Sequence, residues 1–177
     1  ARLHAARPDL RFVLPAAAPV AGLVQALVAD WPGRPIVLDP RDLGAEAALV
    51  KRSAFAAADV ALAASGTVSL ELAAVGTPMV VAYDMNWISR QVIGRMLRID
   101  TVTLVNLVSD TRVVPEFIGP KCRPGPIAEA VLATLDAPQA QARAMALTMD
   151  RLGLDGPAPG TRAAQAVLDG LADAPRP

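Results

Sequence analysis

One stretch of this chain combines groups that could hold an anion and a diol: Ala63-Ala64-Ser65-Gly66-Thr67-Val68-Ser69-Leu70-Glu71. Its apolar lead-in reads as a strand ending at Ala64, and its second half as the start of a helix. Gly66 lets another group approach the backbone closely. The free N–H groups of a helix start, with the Ser65 and Thr67 hydroxyls, suit a phosphate. Glu71 falls one turn after Thr67, on the same helical face. A carboxylate set back from a phosphate in this way can accept two hydrogen bonds from a ribose diol. The same residues also fit a plain helix start, with Ser65 and Thr67 as caps and Glu71 complementing the dipole. A capping box is excluded, because its acid stands three residues after the cap, where this chain has Val68 and Leu70.

Three further places carry polar groups next to apolar runs. Asn106, in Thr103-Leu104-Val105-Asn106-Leu107, follows an expected strand and can either read a base or sugar edge or make an Asx turn. Glu116, in Val114-Pro115-Glu116, is a second carboxylate, equally suited to begin a helix. Tyr83-Asp84-Met85-Asn86 closes another expected strand, with Asn86 placed to cap the helix after it. That helix, Trp87 to Arg98, carries Arg90, Arg95 and Arg98 opposite Trp87, Ile88, Val92 and Met96; it suits a solvated face, or an anionic membrane surface. The single histidine, His4, sits in a terminal helix expected to be exposed, which leaves no histidine triad or histidine metal site. One cysteine, Cys122, excludes an internal disulfide and a cysteine zinc cluster. There is no Walker loop and no GxGxxG, and no general base is evident.

These groups need a scaffold that brings strand ends together. Apolar runs at 11–15, 36–38, 60–64, 79–82 and 101–105 predict five strands, separated by helices over 19–31, 45–57, 66–75 and 87–98. Continuous apolar strands alternating with helices predict an α/β fold, a Rossmann-like parallel sheet with helices on both faces. In such a sheet ligands bind beyond the carboxyl ends of the strands. Three consecutive helical segments, 126–135, 140–152 and 162–171, follow. The expected division is residues 1–136 as the ligand-binding domain and 137–177 as a helical C-terminal extension.

Composition narrows the class. The chain has 177 residues, 17 Lys+Arg against 17 Asp+Glu, and a formal net charge of zero, which argues against a nucleic-acid partner. Aromatics are only 3%, so the core is expected to rest on Ala, Val, Leu and Ile. No apolar run approaches the ~20 residues that span a bilayer, and no secretory signal is visible, so a cytoplasmic location is expected. Residues 1–7 read as the tail of a helix already under way, pointing to a piece of a longer polypeptide.

Taken together, the strings Ala64-Ser65-Gly66-Thr67…Glu71, Gly76-Thr77-Pro78-Met79-Val80-Val81-Ala82-Tyr83, Leu104-Val105-Asn106-Leu107 and Val114-Pro115-Glu116 resemble the C-terminal half of bacterial lipid-A-disaccharide synthases. The resemblance runs over almost the whole chain, from Phe12-Val13-Leu14-Pro15 to Cys122 and the helix after Pro126. It implies a GT-B glycosyltransferase with the active site in a cleft between two Rossmann-like domains. The implied reaction is metal-independent, needs no cofactor, and inverts the anomeric centre. It joins UDP-2,3-diacylglucosamine to 2,3-diacylglucosamine 1-phosphate, releasing UDP and the β-1,6-linked disaccharide of Gram-negative lipid A. By position, Ser65, Gly66 and Thr67 would meet the diphosphate, Glu71 the ribose, and Asn106 the nucleotide region, with Tyr83 and Glu116 as further candidates. The resemblance places the catalytic acid and the lipid acceptor site in the other half, so this piece alone is expected to be inactive. It also implies work at the cytoplasmic face of the inner membrane, where the Arg90/Arg95/Arg98 helix could make contact. The segments after Gly153 would pack on the other half or on a second copy of the chain, as in a homodimer. Two departures stand out: Val105 replaces a usual proline, and Asp84 stands where a basic residue is common and would repel a diphosphate. Other GT-B enzymes, such as the peptidoglycan N-acetylglucosaminyltransferase or a UDP-N-acetylglucosamine epimerase, remain alternatives, as does a non-enzymatic α/β interaction module.

Overall fold

The computed structural model describes residues 1–64, 66–84 and 100–172. Ser65 and the helix expected over 87–98, with its three arginines and the Asn86 cap, lie outside the described residues.

The chain opens with helix α1 (Arg2–Ala6), strand β1 (Val13–Pro15), helix α2 (Ala21–Val28) and strand β2 (Ile36–Leu38). Short helix α3 (Pro40–Leu43) and a 3₁₀ turn lead into α4 (Ala47–Ala56), then β3 (Ala61–Ala63), α5 (Val68–Ala74) and β4 (Met79–Tyr83). Next come helix α6 (Leu104–Ser109), strand β5 (Glu116–Ile118) and helices α7 (Pro124–Asp136), α8 (Gln139–Leu152) and α9 (Pro159–Ala172). All strand pairings are parallel, as the apolar runs predict, and helices flank them. The ladder is divided among the described residues, however: β1 pairs with β2, Val13 opposite Ile36, while β3, β4 and β5 form a separate sheet in that order.

β4 is the middle strand, and its consecutive Met79, Val80 and Val81 are fully buried, the mark of a strand covered on both faces. Around it the core gathers Leu72 and Ala73 from α5, Val105 from α6, Val114, and Ala144, Met145 and Met149 from α8. The boundary expected at residue 136 falls between α7 and α8. α8 packs on α5 and α6, and its buried Gln141 accepts a 2.8 Å hydrogen bond from the Met79 N–H. α9 leaves Val167, Leu168 and Leu171 exposed. Gly76, expected to close the helix at Val75, does so at φ +77°, a conformation that favours glycine.

The fifth strand differs from expectation. Thr101–Val105 is β-branched and strand-like in composition, but Thr103 is the extended N-cap of α6 and Leu104 and Val105 are already helical. The extended segment before α6 has the Glu116 carboxylate as its partner, which accepts from the Thr101 hydroxyl (2.6 Å) and from the N–H groups of Val102 (3.2 Å) and Thr103 (2.7 Å). A side chain thus supplies the acceptors that a neighbouring strand would otherwise offer. The fifth strand is Glu116–Ile118 itself, so Glu116 begins no helix, and Asn106 follows no strand. His4 also departs from the expected exposure: it is half-buried, and its Nδ1 lies near Gly33, beside Phe12.

Candidate functional site

The carboxyl ends of β3, β4 and β5 face one way because the three strands are parallel. Beyond β3 the chain passes Ala64, reaches Gly66 at φ +141° and turns into α5 at Thr67. A side chain at that φ would be strained, though a Cβ there would meet nothing within 4 Å, so glycine is needed for the backbone path itself. The Thr67 hydroxyl makes no capping bond to α5. Ser69, the second residue of α5, is buried and donates from Oγ to the Gly66 carbonyl at 2.8 Å, fastening the turn to the helix.

Glu71 lies in the first turn of α5 with its side chain half-exposed, and its Oε2 is 2.6 Å from Lys51 Nζ on α4. It is therefore held by a neighbouring helix rather than merely placed near the α5 dipole. Lys51 lies 5.4 Å from the centroid of the Phe55 ring. It also lines a cavity of about 150 Å³ together with Pro15, Leu38, Pro40 and Ala47. Pro15 and Leu38 end β1 and β2, so this cavity lies at the carboxyl end of the first sheet, with Lys51, the partner of Glu71, in its lining.

Beside the cavity, the buried Asp39 caps α3 by accepting from the Arg41 N–H at 2.9 Å. Its carboxylate also takes a forked pair from the Arg41 guanidinium and a 3.4 Å bond from Gln25. The guanidinium holds the Asp39 carboxyl below the usual carboxylate range. Leu38-Asp39-Pro40 carries a legible signal, a strand followed by an acidic cap and a proline at the first helical position. Lys51 carried none, because its partner lies twenty positions away in sequence and the pairing depends on how α4 packs on α5.

Tyr83 ends β4 with its side chain exposed. The buried Asn106 and the half-buried Glu116 meet in one cluster. Asn106 Nδ2 donates to the Val114 carbonyl at 2.9 Å, and Asn106 Oδ1 accepts from the Val114 N–H at 3.0 Å. The same Nδ2 lies 3.4 Å from Glu116 Oε1. Both ends of the Asn106 amide are thus engaged inside the chain. Cys122 is a free, half-buried thiol after the 3₁₀ turn that follows β5. Among the described residues no three His, Cys, Asp or Glu side chains are grouped to hold a metal ion, and no helix is long and apolar enough to cross a membrane.

The family model described as Lipid-A-disaccharide synthetase matches residues 45–168. The chain is 61% identical over 165 residues to a Lipid-A-disaccharide synthase of Ruegeria pomeroyi, covering 93% of this chain and 41% of that protein. It is 42% identical to one from Paramagnetospirillum magneticum (92% and 41% covered). With one from Gluconobacter oxydans the identity is 36% (92% and 38% covered). The chain spans about two fifths of the length of the curated relatives it matches.

Proposed function

The chain belongs to the lipid-A-disaccharide synthetase family, and from that premise we propose that it forms the donor-binding part of a glycosyltransferase that builds the lipid A disaccharide. The observation that carries this reading is the turn at Gly66-Thr67, with Glu71 on the first turn of α5, at the carboxyl end of a parallel strand and within the matched region. The donor is UDP-2,3-diacylglucosamine. Ser65, Gly66 and Thr67 meet its diphosphate, where backbone N–H groups stabilise the negative charge that grows as UDP leaves. Glu71 accepts from the ribose hydroxyls. Tyr83 borders the same side of the sheet. Asn106 and Glu116, whose polar atoms are taken up within the chain, serve the donor site by fixing the segment between Thr101 and Glu116.

The acceptor is 2,3-diacylglucosamine 1-phosphate, held by the part of the protein that the relatives carry and this chain does not span. Its 6-hydroxyl oxygen bonds to the donor anomeric carbon while the bond from that carbon to the diphosphate oxygen breaks, with inversion. A base outside this chain takes the hydroxyl proton, and UDP carries away the bonding pair. We assign the reaction no metal or other cofactor, and place it at the cytoplasmic face of the inner membrane, where Arg90, Arg95 and Arg98 contact the surface. The exposed Val167, Leu168 and Leu171 of α9 pack on the remainder of the protein or on a second copy. Family membership sets this reading ahead of the peptidoglycan transferase, the epimerase and the interaction module.

A chimera tests it. The matching two fifths of the Ruegeria pomeroyi relative are replaced by this chain, and disaccharide formation is followed from the two acylated sugars. The chimera is expected to release UDP and form the disaccharide. A folded chimera that still binds acceptor but forms no product would contradict the proposal.

A further inference from the structure

Lys51 is unused by the function proposed above, yet its surroundings separate it from an ordinary surface cation. It reaches across from α4 to the one carboxylate assigned to the ribose, with Nζ 2.6 Å from Glu71 Oε2. The Phe55 face, 5.4 Å from the same ammonium, attracts the cation and limits where it can swing. The Lys51 side chain also forms part of the cavity wall at the carboxyl ends of β1 and β2, with Pro15 and Leu38.

The two side chains are 41% and 48% exposed, and an ion pair this wet adds little to folding stability. Its effect lies in direction. Glu71 alone on α5 would sample several rotamers over the helix surface. Paired with Lys51, its carboxylate is drawn toward α4. A carboxylate has two oxygens and about four acceptor positions, so a lysine on Oε2 leaves Oε1 open to hydroxyl donors. The ammonium also offsets the repulsion between Glu71 and an incoming diphosphate.

We propose that Lys51 is a positioning residue, holding the Glu71 carboxylate toward α4 so that it meets the ribose hydroxyls of a nucleoside diphosphate. This inference rests on Glu71 being the ribose acceptor. The test compares binding of UDP and 2′-deoxy-UDP to the 177-residue chain, as wild type, Glu71→Ala, Lys51→Met and Lys51→Arg, with thermal unfolding of each as the check on folding. The wild type is expected to prefer UDP by about tenfold, the size of one lost hydrogen bond to a charged acceptor. Glu71→Ala abolishes the preference. Lys51→Met lowers it to about twofold without changing the unfolding temperature, and Lys51→Arg, which keeps the charge and the donors, restores most of it.

A Lys51→Met chain that keeps the full preference for UDP overturns the proposal and leaves the ribose assignment standing. The same holds if both nucleotides weaken equally, since that is a charge effect without positioning. If Glu71→Ala keeps the preference, or the wild type shows none, the ribose assignment fails and the role of Lys51 falls with it.

Discussion

Replacing Asn106 with alanine lowers the stability of the chain by about 3–5 kcal/mol, read from urea unfolding at neutral pH. Asn106 is 1% exposed and Val114 is 2% exposed. The amide closes a reciprocal pair with the Val114 N–H and carbonyl. Alanine strands both backbone groups away from water, each at a cost of about 1–3 kcal/mol, and leaves a small void besides. It also removes a donor from Glu116, which organises the Thr101–Thr103 segment. Asn106→Asp separates the contributions: when protonated it keeps an acceptor for the Val114 N–H and a single O–H donor, and when ionised it loses that donor and sets a second carboxylate near Glu116. It should fall between wild type and alanine at acidic pH and fall further as that carboxyl ionises. A loss below about 1 kcal/mol for Asn106→Ala, within the range of an exposed site, would show that the pair does not hold the loop.

Met145→Ala is expected to cost about 2–5 kcal/mol, the range for removing a large side chain from a packed core. Met145 is 1% exposed and lies among Leu72, Val105, Val114 and Ala144 in the cluster around β4. For a chain of this length each kcal/mol shifts the unfolding midpoint by roughly 2–4 °C, so scanning calorimetry should read a fall of roughly 4–20 °C. The result bears on how the chain is organised. If α8 were an appendage, its truncated methionine would leave the main transition where it was. A single transition that moves down as a whole identifies α8 as part of the cooperative core.

The helices and parallel strands up to β4 were legible because their signals are local: short apolar runs for the strands and, around α5, a glycine at each end. Gly66 and Gly76 bracket α5 where the chain needs φ +141° and +77°. The core role of α8 was less legible, since its buried face includes Gln141, Ala144, Met145, Thr148 and Met149, too polar and small to stand out as an apolar stripe. Gln141 is buried because it serves the Met79 N–H at the start of β4, a partner 62 positions distant. The misassigned strand at 101–105 has the same origin. Thr101, Val102 and Thr103 have strand composition, but the Glu116 side chain accepts from the Thr101 hydroxyl and from the N–H groups of Val102 and Thr103. Within the candidate site, the helix start and Glu71 were legible from spacing. The Lys51 contact was not, because it exists only once α4 and α5 are packed.

The central claim is that this chain carries a uridine nucleotide site in which Glu71 takes the ribose. The most direct measurement is a ligand-observed NMR titration of the chain with UDP, using CMP and the Glu71→Ala variant as controls. Saturable binding of UDP in preference to CMP is expected, weakened in Glu71→Ala by about 1–3 kcal/mol through the loss of a charged acceptor. A folded chain that binds UDP no better than CMP, or binds it equally well with alanine at position 71, would contradict the account.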